Sequence, residues 1–278
     1  MHRMNDPERW NDMAKHYEET AHPFTARFAE AALARIAVTP ETRLLDVATG
    51  TGALALAAAR AGAQVLATDF SAGMVARVTA HGLPNLEGRT MDGQALQLPD
   101  ASFDAVFSVF GVMMFPDWRK GLAEMARVTR PGGHGVVATW QSEGAATHLL
   151  LSQIVRALFP DREWQSSLPA GLKTLGDPVL LAAEMVLAGY REPEIETFTH
   201  DYLLRMPKLD DPETQFGMSE DWGALNPAEQ AMVVEEVRRR AAGRPVLPVP
   251  STALIAVATR PEGGGPAGNR REAAQTAV

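Results

Sequence analysis

The sequence contains no cysteine. It can therefore form no disulfide, and it offers no thiolate to act as a nucleophile or to bind zinc or an iron–sulfur cluster. It also lacks a long apolar run. Residues 106–115 are broken by Ser108 and Gly111 and fall far short of the roughly 20 residues that span a bilayer. Residues 1–10 are polar, which argues against a signal peptide and predicts a cytoplasmic protein without membrane insertion.

Positive charge is in short supply as well. The 278 residues include 26 Lys and Arg against 34 Asp and Glu, a formal net charge of −8. Nucleic acids and anionic membranes are bound through cationic surfaces, so neither is predicted as a partner. A content of 46% hydrophobic residues is typical of a globular protein. No group of Asp, Glu and His has the spacing of metal ligands, so no metal site is predicted.

The order of strand-like and helical segments indicates the fold class. From Arg43 onward, short apolar runs alternate with helical stretches. This pattern predicts a doubly wound α/β fold, in which helices cover both faces of a mostly parallel sheet. The chain before Arg43 is helical in pattern and is divided at Pro23, which predicts an N-terminal helical cap over residues 1–40.

Three further segments complete the predicted organisation. The main domain covers residues 41–260 and contains two long, irregular stretches, at about 141–176 and 206–250, which we interpret as lid inserts. Residues 261–278 include three consecutive glycines and almost no large apolar side chain. Such a segment cannot bury enough apolar surface to offset the entropy of ordering it, so a disordered tail is predicted.

The most informative motif runs from Leu44 to Ala55. A strand leads into a glycine turn and then into a helix, which brings backbone N–H groups towards a ligand. Gly50-x-Gly52-x-x-Ala55 also fits the dinucleotide fingerprint, with Asp69 about where its ribose-binding acid belongs. A nicotinamide-dependent oxidoreductase is therefore an alternative at this point, and so is a glycine turn that binds nothing.

Two carboxylates favour a different ligand. Asp46 lies inside the first strand, where a dinucleotide enzyme normally has an apolar residue, and a carboxylate there suits a ligand with a cationic group. Asp92 and Gly93 follow the third strand, where a carboxylate can accept a hydrogen bond from an exocyclic amine. Segments around Asp104 and Pro131 frame the fourth and fifth strands.

Taken together, these segments resemble the class I S-adenosylmethionine-dependent methyltransferases, especially the ubiquinone/menaquinone-type small-molecule group. The resemblance runs in order from Trp10 to about Trp140 and fades afterwards. It implies a seven-stranded Rossmann-like sheet whose last strand is antiparallel, with S-adenosylmethionine as the cofactor. It also implies that the two inserts roof a pocket for a small-molecule acceptor.

The resemblance assigns roles to particular residues. It implies that the methionine part of the cofactor is held by Tyr17, Asp46, Ala48, Thr49, Gly50 and Gly52. It further implies that the ribose and adenine are held by Asp69, Phe70, Met74, Asp92 and Gly93, and that Ser108 lies near the sulfonium. Ala48 departs from the motif, which has glycine there. Met113 and Met114 stand where relatives often have histidine, so His148, after the fifth strand, becomes the candidate general base.

The predicted reaction is transfer of a methyl group to an O, N or C nucleophile of a small metabolite. Aromatic and methionine residues near the predicted pocket favour an apolar or aromatic acceptor, and Trp164 and Trp222 in the inserts are predicted to roof a flat ligand. One alternative is an S-adenosylmethionine-binding enzyme that catalyses a non-methylating cyclisation or rearrangement, and the nicotinamide oxidoreductase ranks after it. The sequence leaves the oligomeric state open, a homodimer included.

Overall fold

The computed structural model describes residues 6–143, 147–164, 169–217 and 219–263. The strands are β1 (Arg43–Val47), β2 (Gln64–Asp69), β3 (Leu86–Thr90), β4 (Phe103–Val109), β5 (Thr129–Trp140), β6 (Glu194–Arg205) and β7 (Val246–Thr259). They form one sheet in the order β3-β2-β1-β4-β5-β7-β6, in which only β7 is antiparallel to its neighbours. The predicted α/β fold is confirmed. Strand order reverses between β1 and β4, and ligands bind at the carboxyl ends of strands at such a point.

The helices cover the sheet and connect its strands. They are α1 (Pro7–Thr20), α2 (His22–Leu33), α3 (Ala53–Arg60), α4 (Ala72–Thr79), α5 (Trp118–Val128), α6 (Thr147–Leu158), α7 (Ala170–Leu175), α8 (Pro178–Ala188), α9 (Pro212–Phe216), α10 (Glu220–Gly223) and α11 (Pro227–Ala241). Asp177 caps α8, and Asn226 forms a capping box with Glu229 at the start of α11. Among the described residues, no helix is long and apolar enough to cross a membrane.

The start of β5 differs from the prediction. The sequence predicts a helix up to Arg130, but α5 ends at Val128 and Thr129 already pairs with Phe103 of β4. The glycines that follow belong to β5 and form an irregular start of that strand. A Cβ at Gly133 would lie 2.8 Å from the carbonyl oxygen of Asp104, so glycine lets the two strands approach closely here. The register between the two strands shifts there. The Asp104 carboxylate accepts a hydrogen bond from the Arg43 amide at 2.7 Å and pairs with Arg130.

The N-terminal cap is docked tightly on the sheet domain. In α2, Phe28 and Ala29 are fully buried. In α1, the Asn11 side-chain oxygen accepts hydrogen bonds from the Ser71 hydroxyl at 2.7 Å and the Gly73 amide at 2.8 Å. A Cβ at Gly73 would lie 2.7 Å from the Cα of Asn11, so only glycine lets the two helices approach this closely. The cap therefore shares its packing with the strands that it covers.

The inserts form a core of their own. Helices α6, α9, α10 and α11 pack around buried side chains that include Phe216 and Trp222. The Trp222 ring is 2% exposed and its indole N–H donates to Glu213 at 2.8 Å, so the predicted roof role for Trp222 is wrong. The second insert ends before residue 246, rather than at 250, because Val246 already pairs with Arg205. Residues 144–146 and 165–168 of the first insert lie outside the described residues, as do residues 264–278 of the predicted tail.

Candidate cofactor-binding site

A cavity of about 370 Å³ lies at the carboxyl ends of β1, β2 and β4. Small-molecule sites typically measure roughly 300–1,000 Å³. Most of the residues assigned to the cofactor by resemblance line this cavity: Tyr17, Asp46, Ala48, Thr49, Gly50, Asp69, Phe70, Met74, Asp92 and Gly93. Side chains that are distant in sequence therefore converge on one space.

The turn after β1 needs glycine at two positions for two reasons. Gly50 has φ +55°, and a Cβ there would approach only the Tyr17 ring, at 3.8 Å, so its backbone faces the open cavity. Gly52 has φ +89° and does not line the cavity; a Cβ there would lie 3.0 Å from Val78 of α4. Gly50 thus leaves room for a ligand, whereas Gly52 leaves room for helix packing. Ala48 adopts φ 58° without being glycine, so the turn carries backbone strain.

Asp46 is a buried carboxylate at the base of the cavity. It is 1% exposed and accepts hydrogen bonds from the Thr49 hydroxyl at 2.6 Å and the Ala55 amide at 3.2 Å. Burial raises the pKa of Asp46 to about 7, although both hydrogen bonds act in the opposite direction. A cationic ligand group beside this carboxylate would favour its ionised form. The site is therefore suited to an ammonium group.

Asp69 ends β2 and is held by the backbone of two turns, the one after β1 and the one after β2. Its carboxylate accepts hydrogen bonds from the Gly50 amide at 2.9 Å and the Ser71 amide at 3.0 Å, one on each oxygen. Burial raises the pKa of Asp69, and the backbone N–H groups partly oppose that rise. An ionised carboxylate has about four acceptor positions. Both oxygens can therefore also accept from a pair of ligand hydroxyls.

Asp92 and Gly93 lie just beyond β3. Both hydrogen bonds from Gln94, one from its amide at 2.8 Å and one from its side chain at 3.0 Å, go to Oδ1 of Asp92. The exposed Oδ2 can therefore accept from a ligand amine. A Cβ at Gly93 would lie 2.5 Å from the ring of Phe115, so glycine is what lets this ring pack against the loop.

Two assigned residues lie apart from the cavity lining. Ser108 is fully buried, and its hydroxyl donates to the Val47 carbonyl at 3.0 Å and accepts from the Val112 amide at 2.9 Å. It fixes the chain after β4 instead of facing the cavity. Gly52, as described above, serves helix packing. The backbone of His148 belongs to α6, but its side chain lies outside the described residues.

The cap contributes Trp10, which the sequence analysis did not assign, beside the predicted Tyr17. Trp10 and Tyr17 both line the cavity, and their rings meet edge to face at 6.0 Å. Burial raises the pKa of Tyr17, and the Thr25 side chain beside it partly opposes that rise. His22 Nδ1 lies 2.8 Å from the hydroxyl of Thr51, which joins the cap to the glycine turn. The seven-residue spacing of Trp10 and Tyr17 puts both on one helix face, a signal that could have found Trp10.

The remaining lining is mostly apolar. Beyond the residues already named, it includes Pro7, Ala53, Leu54, Met91, Val109, Phe110, Gly111, Met114 and Pro116. Much of this lining follows β4, where the sequence assigned only Ser108. Among the described residues, no group of three or more His, Asp or Glu could hold a metal ion.

Comparison with known proteins supports the same assignment. A methyltransferase-domain family model matches residues 45–137. A demethylmenaquinone methyltransferase of Renibacterium salmoninarum is 34% identical over 61% of this chain and 74% of its own length. An uncharacterised protein of Mycobacterium tuberculosis is 40% identical over 40% of this chain, which spans only 42% of that relative.

A solved structure of similar fold extends over more of the chain. A methyltransferase structure from Anabaena variabilis has a TM-score of 0.57 at 18% identity and covers 82% of this chain and 96% of its own. At that identity it supports the fold alone. The match to the Renibacterium protein supports more than the fold, because its 34% sequence identity extends over 74% of that relative's length. This chain belongs to the class I S-adenosylmethionine-dependent methyltransferases, in their quinone-type group.

Proposed function

We propose that this protein binds S-adenosylmethionine and transfers its methyl group to an O, N or C atom of a small apolar or aromatic metabolite. One observation carries the proposal: Asp46, Asp69 and Asp92 come from three different strand ends and meet around one cavity. Their spacing along the sheet edge supplies an acceptor for each polar part of the cofactor. S-adenosylmethionine supplies a methyl group already activated on a sulfonium.

The residues fit this cofactor in charge as well as in shape. The buried Asp46 would take the ammonium of the methionine part, and Gly50 leaves the backbone open beside it. Asp69 would take the ribose hydroxyls, with Phe70 and Met74 against the adenine. Asp92 would accept a hydrogen bond from the adenine amine. A nicotinamide cofactor has no ammonium group to match Asp46, which is why this protein is proposed to exclude it.

The protein's own task is to align two reactants and to keep water away. Tyr17, Thr25 and the rest of the cap cover one side of the cavity, while the chain after β4 forms the other. Such alignment can lower a barrier by roughly 7–11 kcal/mol. A general base would add about 10²–10⁴-fold for an acceptor that is still protonated. His148 remains our candidate for that base.

The acceptor side supports a small apolar molecule. Phe110 and Met114 give the cavity apolar lining from the chain after β4, and the net charge of −8 disfavours a nucleic acid. The Renibacterium relative is named for a quinone substrate, which agrees with an aromatic acceptor here. We place the reaction in the cytoplasm.

Calorimetry with four ligands tests the cofactor part of the proposal. S-adenosylmethionine and S-adenosylhomocysteine should bind in the micromolar range, and NAD and NADP should show no heat of binding. A donor labelled in its methyl group, offered with a panel of reduced quinones, phenols and aromatic amines, should then yield a labelled product. Binding of NAD without binding of either sulfur compound would overturn the proposal. A cofactor-dependent product that lacks the label would instead support a cyclisation or rearrangement.

A further inference from the structure

The side-chain amide of Gln94 joins two chain segments that both line the cofactor cavity. We call residues 91–99, which follow β3, the β3 loop, and residues 110–117, which follow β4, the β4 loop. The Gln94 Nε2 group donates to Oδ1 of Asp92 at 3.0 Å, and the Gln94 Oε1 atom accepts from the Asp117 amide at 2.8 Å. Only this orientation of the amide suits both partners, because an ionised carboxylate accepts and a backbone N–H donates.

Gln94 holds one oxygen of the Asp92 carboxylate and leaves the other for a ligand. Oδ1 of Asp92 accepts from the Gln94 amide at 2.8 Å as well as from the Gln94 side chain. Asp92 is exposed, and an exposed side chain changes rotamer within nanoseconds unless its polar atoms are held. The two hydrogen bonds therefore select one rotamer, in which Oδ2 can accept from a ligand in the cavity that Asp92 lines.

Apolar packing connects the same two loops. The Phe115 ring of the β4 loop lies between Gly93 of the β3 loop and Gly121 of α5. A Cβ at either glycine would lie 2.5 Å from a ring carbon of Phe115, so a larger residue at either position would displace the ring. Because closely packed groups cannot move independently, a shift of the β3 loop also shifts the β4 loop.

The rest of the β3 loop is anchored to α5. The Leu96 amide donates to Glu124 at 2.7 Å, and Arg127 donates to the carbonyl oxygens of Leu96 and Leu98 at 2.9 and 2.8 Å. Neither Glu124 nor Arg127 lines the cavity, whereas Gln94 does. Gln94 is therefore the polar link between the two loops that lies where a ligand binds.

We propose that Gln94 is a positioning residue, which directs the Asp92 carboxylate at the adenine amine and couples adenine binding to the β4 loop. This inference rests on the proposed function, because it deepens the cofactor contacts of that reaction. An adenine amine bound to Asp92 holds the Gln94 side chain in place, and Gln94 in turn holds the Asp117 amide. The apolar lining that Met114 and Phe115 give to the cavity is thus ordered when adenine is bound.

Calorimetry with two ligands tests the orientation of Asp92 without any methyl transfer. The ligands are S-adenosylhomocysteine and its deamino analogue, in which purine replaces adenine and the exocyclic amine is missing. The unaltered protein should bind the first at least tenfold more tightly. Gln94→Leu should reduce this preference about fivefold by weakening S-adenosylhomocysteine binding alone. In an Asp92→Ala background, Gln94→Leu should reduce it no further.

A matched control separates this role from support of the fold. Gln97 is an exposed glutamine of the same loop that does not line the cavity, so Gln97→Leu should leave both affinities unchanged. A residue that only stabilised the loop would weaken both ligands equally when replaced. Equal losses for the two ligands in Gln94→Leu, or no preference for the amine in the unaltered protein, would overturn the inference.

Hydrogen exchange tests the coupling to the β4 loop and begins with the unaltered protein. Each ligand is added at the same multiple of its Kd, so that both stabilise the whole fold equally. S-adenosylhomocysteine should slow exchange of the Asp117 amide at least fivefold more than the deamino analogue does, and Gln94→Leu should remove this difference. Equal protection by the two ligands in the unaltered protein would overturn the coupling.

The outcomes also distinguish this inference from the proposed function. Tight S-adenosylhomocysteine binding and labelled methyl transfer that are both insensitive to Gln94→Leu would refute the inference and leave the proposed function standing. An amine preference that depends on Gln94, without methyl transfer to any acceptor, would refute the function alone.

Discussion

The three carboxylates of the cofactor cavity and the aromatic cluster around Trp140 are built differently, although Phe110 belongs to both places. On the cofactor side, Asp46, Asp69 and Asp92 each lie at or near the end of a strand, and short local motifs set their surroundings. In the aromatic cluster, Phe24 of α2, Phe110 after β4 and Trp140 of β5 meet only after the sheet has formed. Short segments of sequence determine the surroundings of the three aspartates, whereas the aromatic cluster depends on tertiary packing.

The largest effect is expected at the buried carboxylate of the cofactor side. Asp46→Asn should weaken S-adenosylmethionine binding by about 3–5 kcal/mol, the range for leaving one charge of a buried pair without its partner. Calorimetry at pH 8 measures this. An affinity unchanged within a factor of three would mean that Asp46 does not face the ammonium.

The same carboxylate should make binding depend on pH. Its pKa is about 7 without a cation nearby, and only the ionised form attracts an ammonium. Affinity should therefore rise with pH through 7, by about tenfold between pH 6 and pH 8. Titrations across that range check the sign. Asp46→Asn removes the titrating group and should flatten the profile, and a profile that falls with increasing pH would contradict the assignment.

Two aspartates at opposite ends of the parallel strands distinguish a role in binding from a role in stability, because Asp69 ends β2 and Asp104 lies at the start of β4. Asp69→Ala should weaken cofactor binding by about 2–4 kcal/mol, since charge-assisted hydrogen bonds are lost and their partners are left unsatisfied. Asp104→Ala should lower the free energy of unfolding by about 0.5–1.5 kcal/mol, because the Arg43 amide and Arg130 lose their acceptor, with affinity unchanged. Denaturant unfolding measures the stability of each variant, and calorimetry measures its affinity for the cofactor. Loss of cofactor binding by a folded Asp104→Ala variant would contradict the assignment of binding to Asp69 and of stability to Asp104.

The docking of the cap should be sensitive to one methyl group. Gly73→Ala places a carbon 2.7 Å from the Cα of Asn11, so it should cost about 1–3 kcal/mol of stability and also weaken cofactor binding. Gly223→Ala is the matched control in the insert, because a Cβ there meets nothing within 4 Å. That substitution should be neutral or slightly stabilising. Thermal melts with and without S-adenosylhomocysteine distinguish the two, and equal melting temperatures would show that the cap is loosely held.

The cofactor side was largely predictable from sequence because its signals are short. Gly50 and Asp69, for example, each stand at a fixed distance in sequence from the end of a strand. In the structure, most of the residues assigned to the cofactor line one cavity. The role of Ser108 could not be predicted in this way, because a side chain near the end of β4 can either face the cavity or hold the following chain in place. Its two backbone hydrogen bonds decide for bracing.

The aromatic cluster and the inserts were less predictable, because the burial of a side chain cannot be read from its residue type. Trp222 looks like a roof in sequence, yet it packs in the core of the insert. Trp140 and Phe24 are separated by more than a hundred positions, so no local pattern joins them. The alternation of Phe198, His200 and Tyr202 was the one available signal, and it indicates a shared face without revealing what that face meets.

The smallest effect concerns backbone strain, which occurs in the turn after β1 and in the insert. Ala48 in the cofactor turn has φ 58° and Ala242 after α11 has φ 52°. Replacing either by glycine should raise the free energy of unfolding by up to about 1 kcal/mol, because glycine adopts this conformation without a steric penalty. Differential scanning calorimetry can resolve such a gain. A loss of stability at Ala48 alone would show that its methyl group, which packs near Gly111, matters more than the strain.

A crystal structure with S-adenosylhomocysteine tests the central claim most directly. The account predicts that the ligand fills the cavity with its ammonium about 3 Å from Asp46, its ribose hydroxyls on Asp69 and its adenine amine on Asp92. Phe110 should then separate the ligand from Trp140. A ligand seated elsewhere, or one that reverses the contacts of Asp46 and Asp92, would contradict the account.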